Sequence, residues 1–456
     1  MKLSHAVVLA VIAAGIGTGA GAGTLTVSSP SAKVCQLTGQ TDWASNQPTA
    51  AQTMANFGLD SVDLGFPIES NPGPLYFLFG DAFPLTHSFS SVPPDDALGW
   101  TTRTAQPDSA NCLDLQLAAF APKTVAHPTV TPAIQQGSFN VPSGGLFLDG
   151  TIYAFFWTNH CVLPGTLLPN SSAPLQWPAP TAACAQIPAN NSVGSSVLAA
   201  ASPADPIAFH RCGYRERIAL LRCPTMPSGF VYVTAAQPPR AAREILARAE
   251  NVYVFGVPRY RASIPYLAIA PRATFSDTNT WSFFAGRNPG GNPIWISRAQ
   301  WESGKNAMGQ WTPPAGAEVY DATPGERCVG EHQVTWNSAL GTWLLLYNCA
   351  PWTIEARTAA LPWGPWSPPT VLLQATPASP LVCTLIMSVN GCPGLRNYWP
   401  PGNPPGIFYA PFILSRYTQD MTVAGSPARS ATIYWVLSTW NPYQVTVMQT
   451  GLQFVP

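Results

Sequence analysis

The sequence predicts an all-β chain folded as a five-bladed β-propeller with disulfide-tied loop insertions, and three observations lead there. Five blocks, each of two to four short aliphatic or aromatic runs broken by tight turn chemistry, recur at intervals of several tens of residues. The 456 residues include 49 Pro, 36 Gly, 16 Trp, 14 Tyr and 20 Phe, which suits many short strands and irregular loops better than helices. Ten cysteines (Cys35, Cys112, Cys161, Cys184, Cys212, Cys223, Cys328, Cys349, Cys383 and Cys392) all follow the N-terminal apolar stretch, so five disulfides are expected.

Taken in order, Met1–His5 is short and basic, Ala6–Ile16 is apolar and Gly17–Gly23 is small, the order of a secretory signal over residues 1–23. Its apolar core is shorter than the ~20 residues that cross a bilayer. The expectation is a secreted, extracellular chain with no membrane association after signal removal, and a single domain over residues 24–456. Thr24–Lys33, rich in Ser, Thr and Pro, reads as an exposed lead-in. The first block sets Val62–Ile68 and Leu75–Phe79 around the turn residues Glu69–Pro74, and Pro84–Asp114 reads as a long polar loop. In the second block Gly144–Leu148 and Ile152–Trp157 flank Asp149-Gly150, a strong hairpin signal. Leu163–Asp205 then reads as an insertion.

The third block runs through Gly229–Thr234, Val252–Pro258, Ile264–Ala270 and Trp281–Ala285, with Arg240–Ala249 as the single amphipathic helix candidate. Within it, Phe275–Trp281 is similar to the Asp-box turn of sialidases but lacks its Asp-to-Trp spacing, and reads as a blade turn. The fourth block spans Val329–Pro369, and Leu372–Pro405 is a second insertion. The last comprises Gly406–Leu414, Ala431–Ser438 and Gln444–Leu452, whose final strand is expected beside an N-terminal segment, closing the ring. Asn170 and Asn190 open glycosylation sequons, relevant in a eukaryotic host.

Lys+Arg and Asp+Glu both number 22 and only 10% of residues are charged, which argues against a nucleic-acid surface. No C-x-x-C pair occurs and the six histidines do not cluster, so no metal site is expected. The absence of a G-x-S-x-G elbow and of a phosphate loop argues against a serine hydrolase or a nucleotide enzyme. No cofactor is expected, and the chain is expected to act as a monomer.

The chemistry concentrates in the first hairpin. A turn centred on Pro72 puts Asp63 directly opposite Asp81, with β-carbons about 4.5–5.5 Å apart, where like charges are destabilising. Two such carboxylates cannot both ionise easily, so one becomes an acid while the other is a base, the division of labour in glycosidic-bond hydrolysis. The competing reading is that one aspartate caps a turn and a bulge separates the other. Propeller inner strands converge on one channel mouth, and Glu331-His332 and Trp440-Asn441-Pro442-Tyr443 put polar and aromatic residues at such strand ends. Glu331 is the third carboxylate candidate, set against a solvated edge glutamate. Trp440 and Tyr443 could stack on sugars, set against a core role.

Six patches occur in an order that resembles the domain of unknown function 4185 family: DLGFP…LYFLFGDAF, NVPSGGLFLDGTIYAFF, VYVFGVPRYRASIPYLA, CVGEHQVTWNSALGTWLLLYN, ARTAALPWGPWSPP and YAPFIL…IYWVLSTWNPYQVTVMQT. That family resembles five-bladed glycosidase propellers and includes endo-acting D-arabinofuranases. The resemblance implies that Asp63 and Asp81 match the family's acidic positions in the first blade and that Glu331 lies in its Gly-Glu motif. Ser61-Val62 stands where Gly-Thr commonly precedes the first aspartate, and Ala82 follows the second where Thr or Ser is common. The resulting expectation is a glycoside hydrolase acting on a furanose- or pentose-containing, arabinan-like polysaccharide. Asp63 would be nucleophile or general base, Asp81 its acid or pKa-setting partner, and Glu331 the general acid or a substrate ligand. His332, Trp440, Asn441 and Tyr443 would hold sugars. The alternative is a non-catalytic propeller that binds glycans at the cell surface or wall.

Overall fold

A computed structural model describes residues 23–84, 95–121, 124–125, 140–158, 195–211, 226–238, 250–307, 310–350, 352–376, 379–388, 390–395 and 406–456. The expected signal up to residue 22, the helix candidate over 240–249, both sequons, and Cys161, Cys184, Cys212 and Cys223 lie outside the described residues.

Five antiparallel sheets form the blades. The first contains Leu59–Glu69, Leu75–Pro84, Asp95–Thr101 and Gln116–Leu117, and the second Asn140–Leu148, Thr151–Thr158, Ser195–Ser202 and Asp205–Arg211. Tyr232–Ala236 begins the five-stranded third, which ends at Pro293–Ser297, and His332–Asn337 begins the fourth, which ends at Thr370–Gln374. In the fifth, Ile407–Ile413, Arg429–Trp440 and Gln444–Val455 are completed by the N-terminal Thr24–Gln36. The leading strands 59–69, 140–148, 232–236, 332–337 and 407–413 each touch the leading strands of both neighbouring sheets, closing a ring around a channel. No helix among the described residues is long and apolar enough to cross a membrane.

Apolar alternation along the strands fills the wedges between adjacent blades. Phe155, Val254, Phe283 and Trp301 pack between the second and third, and Tyr253, Phe255, Trp343 and Tyr347 between the third and fourth. Fully burying such side chains stabilises by roughly 1.5–3 kcal/mol each. At the channel the blades meet through their backbones: a β-carbon on Gly144 would lie 2.3 Å from the Val233 carbonyl oxygen, so only glycine fits. Ser143 beside it accepts from the Val233 amide at 3.1 Å.

The hairpin at Asp149-Gly150 has positive φ at both central residues, 49° and 77°, as the sequence leads one to expect of this turn. At Phe275–Trp281, Asp277 accepts from the Asn279 amide at 3.0 Å, and buried Trp281 donates to the Phe275 carbonyl at 3.1 Å, which makes it a blade turn.

Three sequence readings need correction. Thr24–Lys33 is no loose lead-in but most of the outermost strand of the last blade; its polar residues face outward on a closing edge. The loop Pro84–Asp114 contains the strand Asp95–Thr101, disguised by its two leading aspartates. The insertion Leu163–Asp205 contains Ser195–Ser202, whose alanines give little strand signal yet pair along all of Thr151–Thr158 except its first residue.

Among the described residues, disulfides join Cys35 to Cys112, Cys328 to Cys349 and Cys383 to Cys392. The last ties the second insertion, and the first ties the closing strand to the first blade. Replacing Cys35 and Cys112 by serine should cost roughly 2–4 kcal/mol, because it frees a long loop of the unfolded chain. Denaturant unfolding with and without the pair measures this, and an unchanged midpoint would contradict it.

Candidate active site

Side chains from all five blades line one cavity of about 460 Å³ at the mouth of the channel. Near the turn the first hairpin keeps the expected register, with Phe66 opposite Leu78 and Glu69 opposite Leu75. An irregularity between Leu64 and Phe66 then shifts it, so Asp63 faces Gly80 rather than Asp81. Leu64 and Gly65 have φ of 62° and 75°, and Asp81 itself has φ of 45° at a second irregularity, between Phe79 and Ala82. Such bulges re-aim side chains, and a non-glycine residue held at positive φ stores strain of order 1–3 kcal/mol.

The shift leaves the aspartates together, joined by a third group. The Tyr443 hydroxyl lies 2.7 Å from Oδ2 of Asp63 and 3.2 Å from Oδ2 of Asp81, and the Tyr409 hydroxyl lies 2.7 Å from the same Asp63 oxygen. Burial and then the neighbouring Asp81 charge raise the Asp63 pKa well above the ordinary carboxylate range, with Glu331 adding a smaller push, against the pull of the two phenols. Burial raises Asp81 to about 6, opposed by the Tyr443 hydrogen bond.

Glu331, just ahead of the inner strand of the fourth blade, accepts from the Tyr260 hydroxyl at 2.7 Å and lies 3.7 Å from an Arg261 guanidinium nitrogen. Arg261 in turn lies over the Tyr260 ring at 4.6 Å and over the Tyr409 ring at 5.9 Å from the centroids. Trp157, Tyr232 and Tyr260 form one aromatic wall, with Trp157–Tyr232 centroids 4.4 Å apart and Tyr232–Tyr260 centroids 5.1 Å apart. His332 is buried, and its pKa falls to about 4 by desolvation. Neutral at pH 7, it donates from Nδ1 to the Gly330 carbonyl at 3.2 Å.

Asp63, Asp81, Glu331, His332, Trp440 and Tyr443 thus all line the cavity. Asn441 is not among the lining residues: it is buried in the turn of the last hairpin at φ 60°, and its carbonyl accepts from the Met387 amide. Tyr443 is no stacking platform either. Its ring is 1% exposed and covered edge-on by Phe83 and Trp440, and its hydroxyl is the end that meets the two aspartates. Tyr260, Arg261, Tyr409, Trp157 and Tyr232 were not among the expected site residues. Among the described residues, the group with metal-ligand proximity is Cys328, Cys349 and Glu355, and its sulfurs are joined in a disulfide.

The profile of the family described as "Domain of unknown function (DUF4185)" matches residues 49–449. The chain belongs to this family. No curated protein matches it. Among solved structures, the DUF4185 chain is similar to a Bacteroides ovatus protein whose hydrolase assignment is itself provisional, at 10% identity over 87% of each chain with a TM-score of 0.49. It is also similar to a GH43_1 enzyme from Xanthomonas citri, at 10% identity over 86% of this chain and 87% of that one, TM-score 0.38. A third is the catalytic domain of a Coprinopsis cinerea GH62 α-L-arabinofuranosidase, at 9% identity over 93% and 97%, TM-score 0.37.

In this DUF4185 chain five buried polar atoms, Oδ1 of Asp63, Oε2 of Glu331, Nε2 of His332, Oη of Tyr232 and Nε of Arg261, have no hydrogen-bond partner among the described residues. All belong to cavity residues. Leaving a buried polar atom without a hydrogen bond costs roughly 1–3 kcal/mol; the Arg261 ion pair offsets part of this at Glu331, and a polar ligand in the cavity would offset it at the others.

Proposed function

We propose that the chain is a glycoside hydrolase acting on a furanose-containing, arabinan-like polysaccharide. The observation that carries this reading is the pair of buried Asp63 and half-buried Asp81 at an aromatic-walled cavity, with both pKa values raised. A site that only binds gains nothing from holding two acids where each opposes the other's ionisation; a site that must donate one proton and supply one carboxylate does. Aromatic faces and the unpaired polar atoms suit the apolar faces and hydroxyls of sugars. The furanose preference follows from the family, whose members include endo-acting D-arabinofuranases.

In this mechanism the two carboxyls hold one proton between them: one keeps it for the leaving oxygen while the other supplies the carboxylate. Glu331, held by Tyr260 and Arg261, binds sugar hydroxyls. The closest oxygens of the two aspartates can be no further apart than the two Tyr443 hydrogen bonds laid end to end. That favours the about 5–5.5 Å spacing of retaining pairs over the about 6.5–9.5 Å of inverting ones. The disulfides support an extracellular setting, which we include in the proposal.

Incubating the pure protein with D-arabinan, L-arabinan, arabinogalactan and xylan and measuring new reducing ends tests the reading. Cleavage of a furanose polymer is the expected result. Binding to such polymers without cleavage at any pH from 4 to 8 would instead establish the glycan-binding alternative.

A further inference from the structure

We propose that Tyr443 passes a proton between Asp63 and Asp81, so that the two carboxylates hold one proton as a pair. The phenol has one proton to donate and lone pairs to accept with, and its oxygen is within hydrogen-bond reach of one oxygen on each aspartate. When Asp81 is protonated and Asp63 is not, Asp81 donates to Oη and Tyr443 donates to Asp63. Transfer breaks the Asp81 O–H bond as a new O–H forms on the phenol, whose original proton moves to Asp63. One carboxylate gains what the other loses, and the phenol ends neutral.

The position of the phenol is fixed from several sides. Tyr443 lies in the turn between Arg429–Trp440 and Gln444–Val455 of the last blade, and its carbonyl accepts from the Val62 amide at 3.2 Å, next to Asp63. Phe83 and Trp440 hold its ring edge-on. The ionisable groups it faces are Asp63, Asp81 and Tyr409. Asp63 additionally faces Glu331, and Tyr260 and Arg261 stand behind that glutamate. Tyr409 touches Asp63, and no hydrogen bond joins it to Asp81, which gives an internal control.

The catalytic use of this link rests on the hydrolase reading, but the link itself does not, and the two fail separately. Carboxyl-carbon NMR titration of aspartate-labelled, ligand-free protein reads the link directly. Tyr443→Phe should raise the first titration step of the pair, read at both Asp63 and Asp81, by about one pH unit, since the singly protonated pair loses the phenol that donates to one carboxylate and accepts from the other. Tyr409→Phe should raise mainly Asp63. If Tyr443→Phe moves one midpoint or neither, the proposal is overturned, whatever the protein cleaves. On a cleaved glycan, Tyr443→Phe should lower kcat by about 10-fold or more with KM unchanged and move the acid limb of the pH profile upward. A uniform fall at every pH would indicate packing alone and would also overturn it.

Discussion

Replacing Asp63 or Asp81 by asparagine should lower glycan hydrolysis by about 10²–10⁴-fold, the range for loss of a positioned acid or base, and leave the fold intact. Asparagine preserves shape and removes only the ionisable group. Stability should move the other way. Both carboxyls have folded-state pKa values above the unfolded value of 3.8, so the native state binds more protons and stability falls as pH rises from about 4, through about 6 for Asp81 and on through the raised pKa of Asp63. At pH 7 the Asp81 share of that penalty is present and the Asp63 share has begun, and asparagine at either position removes its own share. Melting temperatures of the variants should therefore equal or exceed that of the natural chain at pH 7, with the gap closing near pH 4. Activity lost along with several degrees of melting temperature at pH 7 would mean that the pair is a structural element.

Deleting residues 24–34, which spares Cys35, should have the largest effect on stability. The Thr24–Gln36 strand pairs along most of Gln444–Val455, and Leu25 and Val27 pack into the wedge between the fourth and last blades. Without it that long strand becomes an open edge, a template for pairing with another chain. The melting temperature should fall by about 10 °C or more, and the protein should associate in a concentration-dependent way. A monomeric variant with an unchanged melting temperature would contradict the role given to this strand.

The five blades are legible in the sequence because their hairpins alternate aromatic and aliphatic residues around Gly, Pro and Asp turns. Strands whose environment replaces that pattern are not. Ser195–Ser202 lies between two other strands of its sheet, where alanine packs well, and Asp95–Thr101 opens on two acids, of which Asp96 is buried. The pairing of Asp63 with Asp81 was approachable from turn chemistry alone, and the hairpin follows it as far as Phe66. It then departs at Leu64 and Gly65, where a leucine adopts a left-handed conformation that no local propensity announces. Tyr260 and Arg261 sit in a connection without periodicity; their partner Glu331 lies far along the chain, so nothing local marks them. Tyr409 is one tyrosine within an aromatic inner strand, and its contact with Asp63 spans almost the whole sequence, so nothing local marks it either.

The central claim is that water is added across a glycosidic bond at Asp63 and Asp81. Digesting D-arabinan in ¹⁸O-labelled water and reading the fragments by mass spectrometry tests it most directly. The account predicts one heavy oxygen at the new reducing end of each fragment released by the natural chain, and none released by Asp63→Asn or Asp81→Asn. Unlabelled or unsaturated fragments, or labelled fragments released equally by both variants, would contradict it.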